Sequence, residues 1–182
     1  MMTTFIYSAT ASVDGYIAGP GGDMQWLAPY MGREPDRLFE QVIPQVTALL
    51  MGRTTFDGDD PNAGDPEQEG AFEGQWKGPQ IVLTHRSVDT AAKGFTITHT
   101  LEEAIETARK AAGAQGMVHI LGADVARQCF QVGVIDEVLL GTVPILLGGG
   151  TPLLRGSKGS FPLELIDQSP SGGMTRRFRV MK

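Results

Sequence analysis

Short apolar runs alternate along this chain with stretches of helical periodicity, and that alternation constrains the fold more than any other feature. Runs at residues 4–11, 46–51, 81–84, 95–98, 117–121 and 137–143 have the length and composition of strands. Between them, residues 35–43 place Leu38, Phe39, Val42 and Ile43 on one helical face. Residues 101–112 predict a longer helix, with Thr100 as cap, Glu103 completing a capping box and Gly113 at its end. Residues 124–132 predict another helix. Strands alternating with helices imply an α/β fold around a mostly parallel sheet. Residues 163–167 and 175–181 alternate as strands around Ser169-Pro170-Ser171-Gly172-Gly173, so a C-terminal hairpin adds an antiparallel edge.

At 182 residues, with no internal repeat, the chain reads as a single domain over residues 1–182. It carries 15 Lys and Arg against 21 Asp and Glu, a formal charge of −6. A surface of that sign opposes nucleic-acid binding but leaves room for one phosphate in a local pocket. No apolar run nears the roughly 20 residues of a membrane span. The first residues lack the charged and apolar regions of a secretory signal, so no membrane and a cytoplasmic location are expected. The one cysteine, Cys129, recurs with Ala126, Phe130 and Val134 at helical spacing and reads as a small core residue. His85, His99 and His119 lack ligand spacing, and no metal is expected. Residues 57–78 are acidic and rich in Gly and Pro; they predict a flexible surface loop with a helical turn near Phe72 and Trp76.

Three strand ends carry the chemistry. In a parallel sheet such ends gather on one side, beside helix N-termini that attract phosphate. Leu50-Met51-Gly52-Arg53-Thr54-Thr55 offers close backbone approach, a fixed cation and hydroxyl donors; it also fits an ordinary strand-to-helix junction. Val82-Leu83-Thr84-His85-Arg86-Ser87 offers groups suited to a ribose phosphate, or a plain polar loop. Ile120-Leu121-Gly122-Ala123-Asp124-Val125-Ala126 opens a helix with small residues, where Asp124 either meets a ligand or serves the helix end. Asp14 before Gly15 is most simply a turn residue, and Gly148-Gly149-Gly150 suits a tight turn or close approach to a cofactor. Arg176, Arg177 and Arg179 read as a solvated strand face.

In order and spacing these segments resemble the dihydrofolate reductase superfamily, most closely the branch of the C-terminal reductase domain of bacterial riboflavin biosynthesis, the RibD type. The resemblance runs from Ser8-Ala9-Thr10-Ala11-Ser12-Val13-Asp14-Gly15-Tyr16-Ile17-Ala18 through the three strand ends to Gly133-Val134-Ile135-Asp136-Glu137. It closes on Val143-Pro144-Ile145-Leu146-Leu147-Gly148-Gly149-Gly150-Thr151-Pro152-Leu153. It implies a dihydrofolate reductase-like three-layer fold and NADPH as hydride donor. By the same resemblance Ala9, Thr10 and Ile17 lie near the nicotinamide, and Gly52, Arg53, Thr54 and Thr55 hold phosphates. Thr84, His85 and Arg86 surround the adenosine 2′-phosphate, while Gly122, Ala123, Asp124, Val125 and Ala126 meet the pyrophosphate. Many relatives have Gly-Gly where this chain has Leu121-Gly122.

On the substrate side, Asp36 falls near the carboxylate with which dihydrofolate reductases bind and help protonate a pterin. It also fits a first-turn Asp favoured by the helix dipole. Glu40, one turn later, rivals it, and Trp26 suits stacking on a flat heterocycle or packing on the core. The expected function is NADPH-dependent hydride transfer to a pterin, a ribosylaminopyrimidine-like heterocycle or a carbonyl compound, in a homodimer. The alternative is a non-catalytic nucleotide- or drug-binding module on the same fold.

Overall fold

A computed structural model describes residues 2–30, 36–58, 74, 76–86, 94–156, 158–170 and 174–182. Its strands are β1 (Thr4–Ser12), β2 (Tyr16–Ala18), β3 (Val46–Gly52), β4 (Gln80–Leu83), β5 (Phe95–Thr98), β6 (Met117–Leu121), β7 (Glu137–Val143), β8 (Thr151–Pro152), β9 (Leu163–Gln168) and β10 (Thr175–Val180). Its α-helices are α1 (Arg37–Val42), α2 (Arg53–Asp57), α3 (Leu101–Ala112) and α4 (Ala123–Gln131). Eight strands form one sheet in the order β5-β4-β3-β6-β1-β7-β10-β9. Every pairing from β5 to β7 is parallel, and β10 is antiparallel to both β7 and β9. The expected mostly parallel sheet and its antiparallel hairpin are both present, with β10 inside the sheet and β9 at its edge.

Alternation along the strands sends side chains into two cores. Phe5, Tyr7, Leu50, Ile81 and Ile120 pack with Ala104 and Ala108 of α3 and with Val125, Ala126, Cys129 and Phe130 of α4. On the opposite face Ile6, Leu49, Met51, Val82 and Leu139 pack beneath Leu38 and Val42 of α1. Helices on both faces give three layers. Each fully buried aliphatic side chain contributes about 2 kcal/mol. Burial pushes the Cys129 thiol up to about 12, in keeping with a core residue rather than a reactive one.

The helix ends follow their chemistry closely. Thr100 Oγ1 accepts from the Glu103 N–H, while Glu103 Oε2 accepts from the His99 N–H, one residue outside the expected box. Gly113 ends α3 at φ +78.

Two sequence expectations need correction, and one pairing carried no sequence signal. β2 pairs antiparallel with β8; strands of three and two residues are too short for a periodicity signal. Of the expected 57–78 loop, most lies outside the described residues, and Phe72 with it. Trp76 is half-buried against the α1-side core and donates its indole N–H to the Val46 carbonyl at 2.8 Å. Arg177 is not simply solvated: it is half-buried and paired with Glu137 at 2.7 Å. Among the described residues no helix is long and apolar enough to cross a membrane.

Candidate active site

The parallel strands deliver their carboxyl ends to one edge of the sheet, and the polar residues singled out from the sequence fall along that edge. Register sets their order. Gly52 pairs with Leu83, just before Thr84, and Met51 pairs with Leu121. Tyr7 pairs with Ile120, so Ala9 and Thr10 continue β1 beside Gly122. Thr10 and Thr175 both pair with Gly141. From Thr84 to Thr175 the row crosses β4, β3, β6, β1, β7 and β10, about 24 Å at the usual strand spacing.

Two corners in this row interlock. A Cβ on Gly52, the last residue of β3, would lie 2.9 Å from Val125 Cγ2 in α4. A Cβ on Gly122, after β6, would lie 2.7 Å from Thr55 Oγ1 in α2. Each corner fits only because the other lacks a side chain. Gly122 also has φ +95, a conformation that strains an L residue, and its peptide bond to Leu121 is trans. As N-cap of α4, Gly122 accepts from the Ala126 N–H; the N–H groups of Ala123, Asp124 and Val125 precede any intrahelical partner. The Asp124 carboxylate binds Arg127 and Gln128 of its own helix, so only its backbone faces the corner.

Arg53 stands beside these corners. Its Nε is paired with Asp57, yet its Nη1 is buried with no hydrogen-bond partner among the described residues. An unmet buried N–H costs about 1–3 kcal/mol, and an anion at this corner would relieve it. Thr54 and Thr55 are exposed. Further along, Thr84 is buried, and its Oγ1 accepts from the Arg86 N–H at 3.2 Å. His99 Nδ1–H donates to the Thr84 carbonyl at 2.8 Å, tying the ends of β4 and β5 together. His85 and Arg86 extend outward, exposed.

The other end of the row is built differently. Gly141 is buried, and a Cβ there would lie 3.3 Å from Thr10 Oγ1, 3.5 Å from Phe39 Cε2 and 3.6 Å from Thr175 Oγ1. Asp36 borders this end as N-cap of α1, accepting the Leu38 N–H on Oδ1 at 2.9 Å. The same oxygen accepts the Ser169 hydroxyl at 2.8 Å. Among the described residues Oδ2 accepts nothing. Glu40 is exposed, away from the Leu38–Val42 face that packs on the sheet. Trp26 is buried in a 3-10 turn, Gln25–Tyr30, with its indole N–H unpaired among the described residues. Ile17 is half-buried on β2.

Sequence reasoning missed Ser169, Thr175 and Gly141. Only Gly141 carried a signal, as a glycine inside an apolar strand. It also missed a buried pair on the α1 side: Ser8 Oγ hydrogen-bonds His119 Nε2. Burial pushes His119 down to about 3, so it is neutral near pH 7. Asp14 does more than turn the chain. It accepts from Ser12 Oγ at 2.6 Å and from the N–H groups of Leu147 and Gly148 at 3.0 and 2.7 Å. Those bonds clasp the end of β1 to the 144–150 loop, and a Cβ on Gly150 would overlap the Ala18 carbonyl.

A family model for the RibD C-terminal domain matches residues 3–169. The protein YyaP of Bacillus subtilis (strain 168) is 25% identical over 169 residues, spanning 89% of this chain and 86% of YyaP. A Shewanella sp. PV-4 protein assigned to riboflavin biosynthesis superposes with a TM-score of 0.74 at 22% identity, covering 99% of this chain and all 100% of its own. Enterococcus faecalis dihydrofolate reductase, complexed with NADP(H), superposes at 0.59 and 17% identity, covering 98% and 97% of the two chains. The three-layer fold is dihydrofolate reductase-like.

Proposed function

Because this chain belongs to the RibD C-terminal domain family of reductases, we propose that it uses NADPH to reduce a pterin or a ribosylaminopyrimidine-like heterocycle, or a small carbonyl compound. The observation carrying this reading is the interlocked pair of corners, Gly52 against Val125 and Gly122 against Thr55, with the buried, unpaired Nη1 of Arg53 beside them. That donor set suits a diphosphate: free N–H groups at a helix start, close backbone approach and a guanidinium.

When bound, the cofactor supplies a hydride from its nicotinamide ring. The chain's own residues do the rest. Gly52, Arg53, Thr54 and Thr55 would hold phosphate from one corner, and the free N–H groups of Ala123, Asp124 and Val125 would hold it from the other, with Ala126 behind them in the first turn. Thr84, His85 and Arg86 border the adenosine end, where a fixed cation favours a 2′-phosphate. Ala9, Thr10 and Ile17 border the nicotinamide end. Asp36 offers Oδ2 to the acceptor, either to orient it or to pass the proton that accompanies the hydride. Phe39, beside Gly141, excludes water from that end.

The test is a titration of the protein with NADPH and NADH, followed by NADPH oxidation against dihydropterins, ribosylaminopyrimidines and small carbonyl compounds. Preferential NADPH binding with oxidation by one of these acceptors is the expected result. Tight binding with no oxidation across the panel replaces the reductase by a nucleotide- or drug-binding module, and no binding overturns both. The proposal includes a homodimer, expected in light scattering as twice the mass of one chain.

A further inference from the structure

Asp36 needs only one partner to cap α1, and the Leu38 N–H supplies it. The second donor on the same oxygen comes from 133 residues away, at the end of the outermost strand. Ser169 differs from the strand it follows. The residues of β9 are mostly exposed, whereas Ser169 is only 9% exposed, and its backbone N–H is held by the Thr175 carbonyl at 2.9 Å. The hairpin thus turns one hydroxyl inward and fixes it there.

A carboxylate oxygen has two lone pairs. Oδ1 of Asp36 receives two donors, Leu38 N–H and Ser169 Oγ–H, and is full. Only Oδ2 remains for a ligand. A ring edge with two parallel N–H groups grips a carboxylate best through both oxygens. Such a grip is closed here for as long as the Ser169 hydroxyl stays in place.

We propose that Ser169 sets acceptor specificity: by occupying Oδ1 it confines Asp36 to a single open oxygen. The site then selects acceptors that present one hydrogen-bond donor over flat rings that present two. This rests on the reading of Asp36 as the acceptor-facing carboxylate. Ser169 touches no acceptor itself; it acts through Asp36 as a positioning residue.

The probe is 2,4-diaminopyrimidine in its N1-protonated form, a flat ring whose N1–H and 2-amino N–H are parallel, titrated calorimetrically into the full chain with NADPH present. Ser169→Ala frees a lone pair on Oδ1 and is expected to tighten the probe about tenfold over wild type. Ser169→Thr keeps the hydroxyl and should match wild type. Ser169→Cys, close in volume and a weak donor, should fall between, and it serves in place of Ser169→Ala if that variant folds poorly. A merely structural role would loosen the site and weaken the probe in Ser169→Ala. Equal or weaker binding by Ser169→Ala and Ser169→Cys, including none detected in any form, overturns the proposal. Adding Asp36→Asn to Ser169→Ala should abolish the gain. A gain that survives Asp36→Asn shows instead that Asp36 is not the acceptor's carboxylate.

Discussion

The two ends of the site are made by different means. The end proposed for the cofactor is made largely of backbone: two corners, each a few residues long, each needing a glycine where the other presses in. The acceptor end is made of side chains brought together from distant sequence, Asp36 and Phe39 from α1, Thr10 from β1, and Ser169 and Thr175 from the final hairpin. A backbone site tolerates change in exposed side chains but not added bulk at its glycines. A side-chain site should respond to the loss of a single hydroxyl or carboxylate.

The largest expected effect tests the backbone end. Gly122→Val combines a β-branched side chain at φ +95 with a Cβ 2.7 Å from Thr55 Oγ1. NADPH affinity should fall about 100-fold or more, read by fluorescence titration; wild-type affinity breaks the contrast. Next comes the carboxylate. Asp36→Asn keeps a good helix cap, so stability should hardly change while turnover falls about 100-fold. Asp36→Ala should add a stability loss of about 1 kcal/mol, seen in urea unfolding. If both variants lose turnover only in proportion to stability, Asp36 is a cap and nothing more.

Arg86→Ala is a smaller test, because Arg86 is an exposed side chain. It should weaken NADPH about tenfold while sparing NADH; equal losses for the two remove it from the 2′-phosphate. The smallest effect is on stability. Hydrogen bonds from Ser12 and from the Leu147 and Gly148 N–H groups lower the Asp14 carboxyl from 3.8 to about 2. A lowered carboxyl favours the folded state fully above its unfolded value, and the benefit is lost as pH falls from about 4 toward about 2. Wild type should therefore lose stability across that window by more than Asp14→Asn does; parallel acid-unfolding curves mean the clasp contributes nothing.

The same contrast explains what the sequence disclosed. A strand followed at once by Gly52-Arg53-Thr54 or Gly122-Ala123-Asp124 is a local signal, because the residues that make the corner are neighbours in sequence. Periodicity likewise located the parallel strands and α3. The acceptor end left no such trace. Nothing local distinguishes Ser169 in a Ser-Pro-Ser-Gly-Gly turn from any other serine, since its partner lies on the first helix. Trp76 looked like part of a polar loop because its neighbours are polar, and the carbonyl it binds belongs to β3. For Asp124 the sequence left two readings open, and the fold gives its side chain to Arg127 and Gln128 while leaving its backbone N–H at the corner.

The placement of β10 between β7 and β9 bears on how the molecule is assembled. The inner member of the hairpin leaves the ribosome after the other strands of the sheet, and joining β7 places β9 outside it. Until it joins, Asp36 lacks its second tether and Gly141 lacks Thr175, one of its two neighbouring threonines. A nascent chain can therefore complete the two glycine corners before the Asp36 end of the row is assembled. The order of synthesis thus favours the half made from local segments, and the half made from distant ones is completed last.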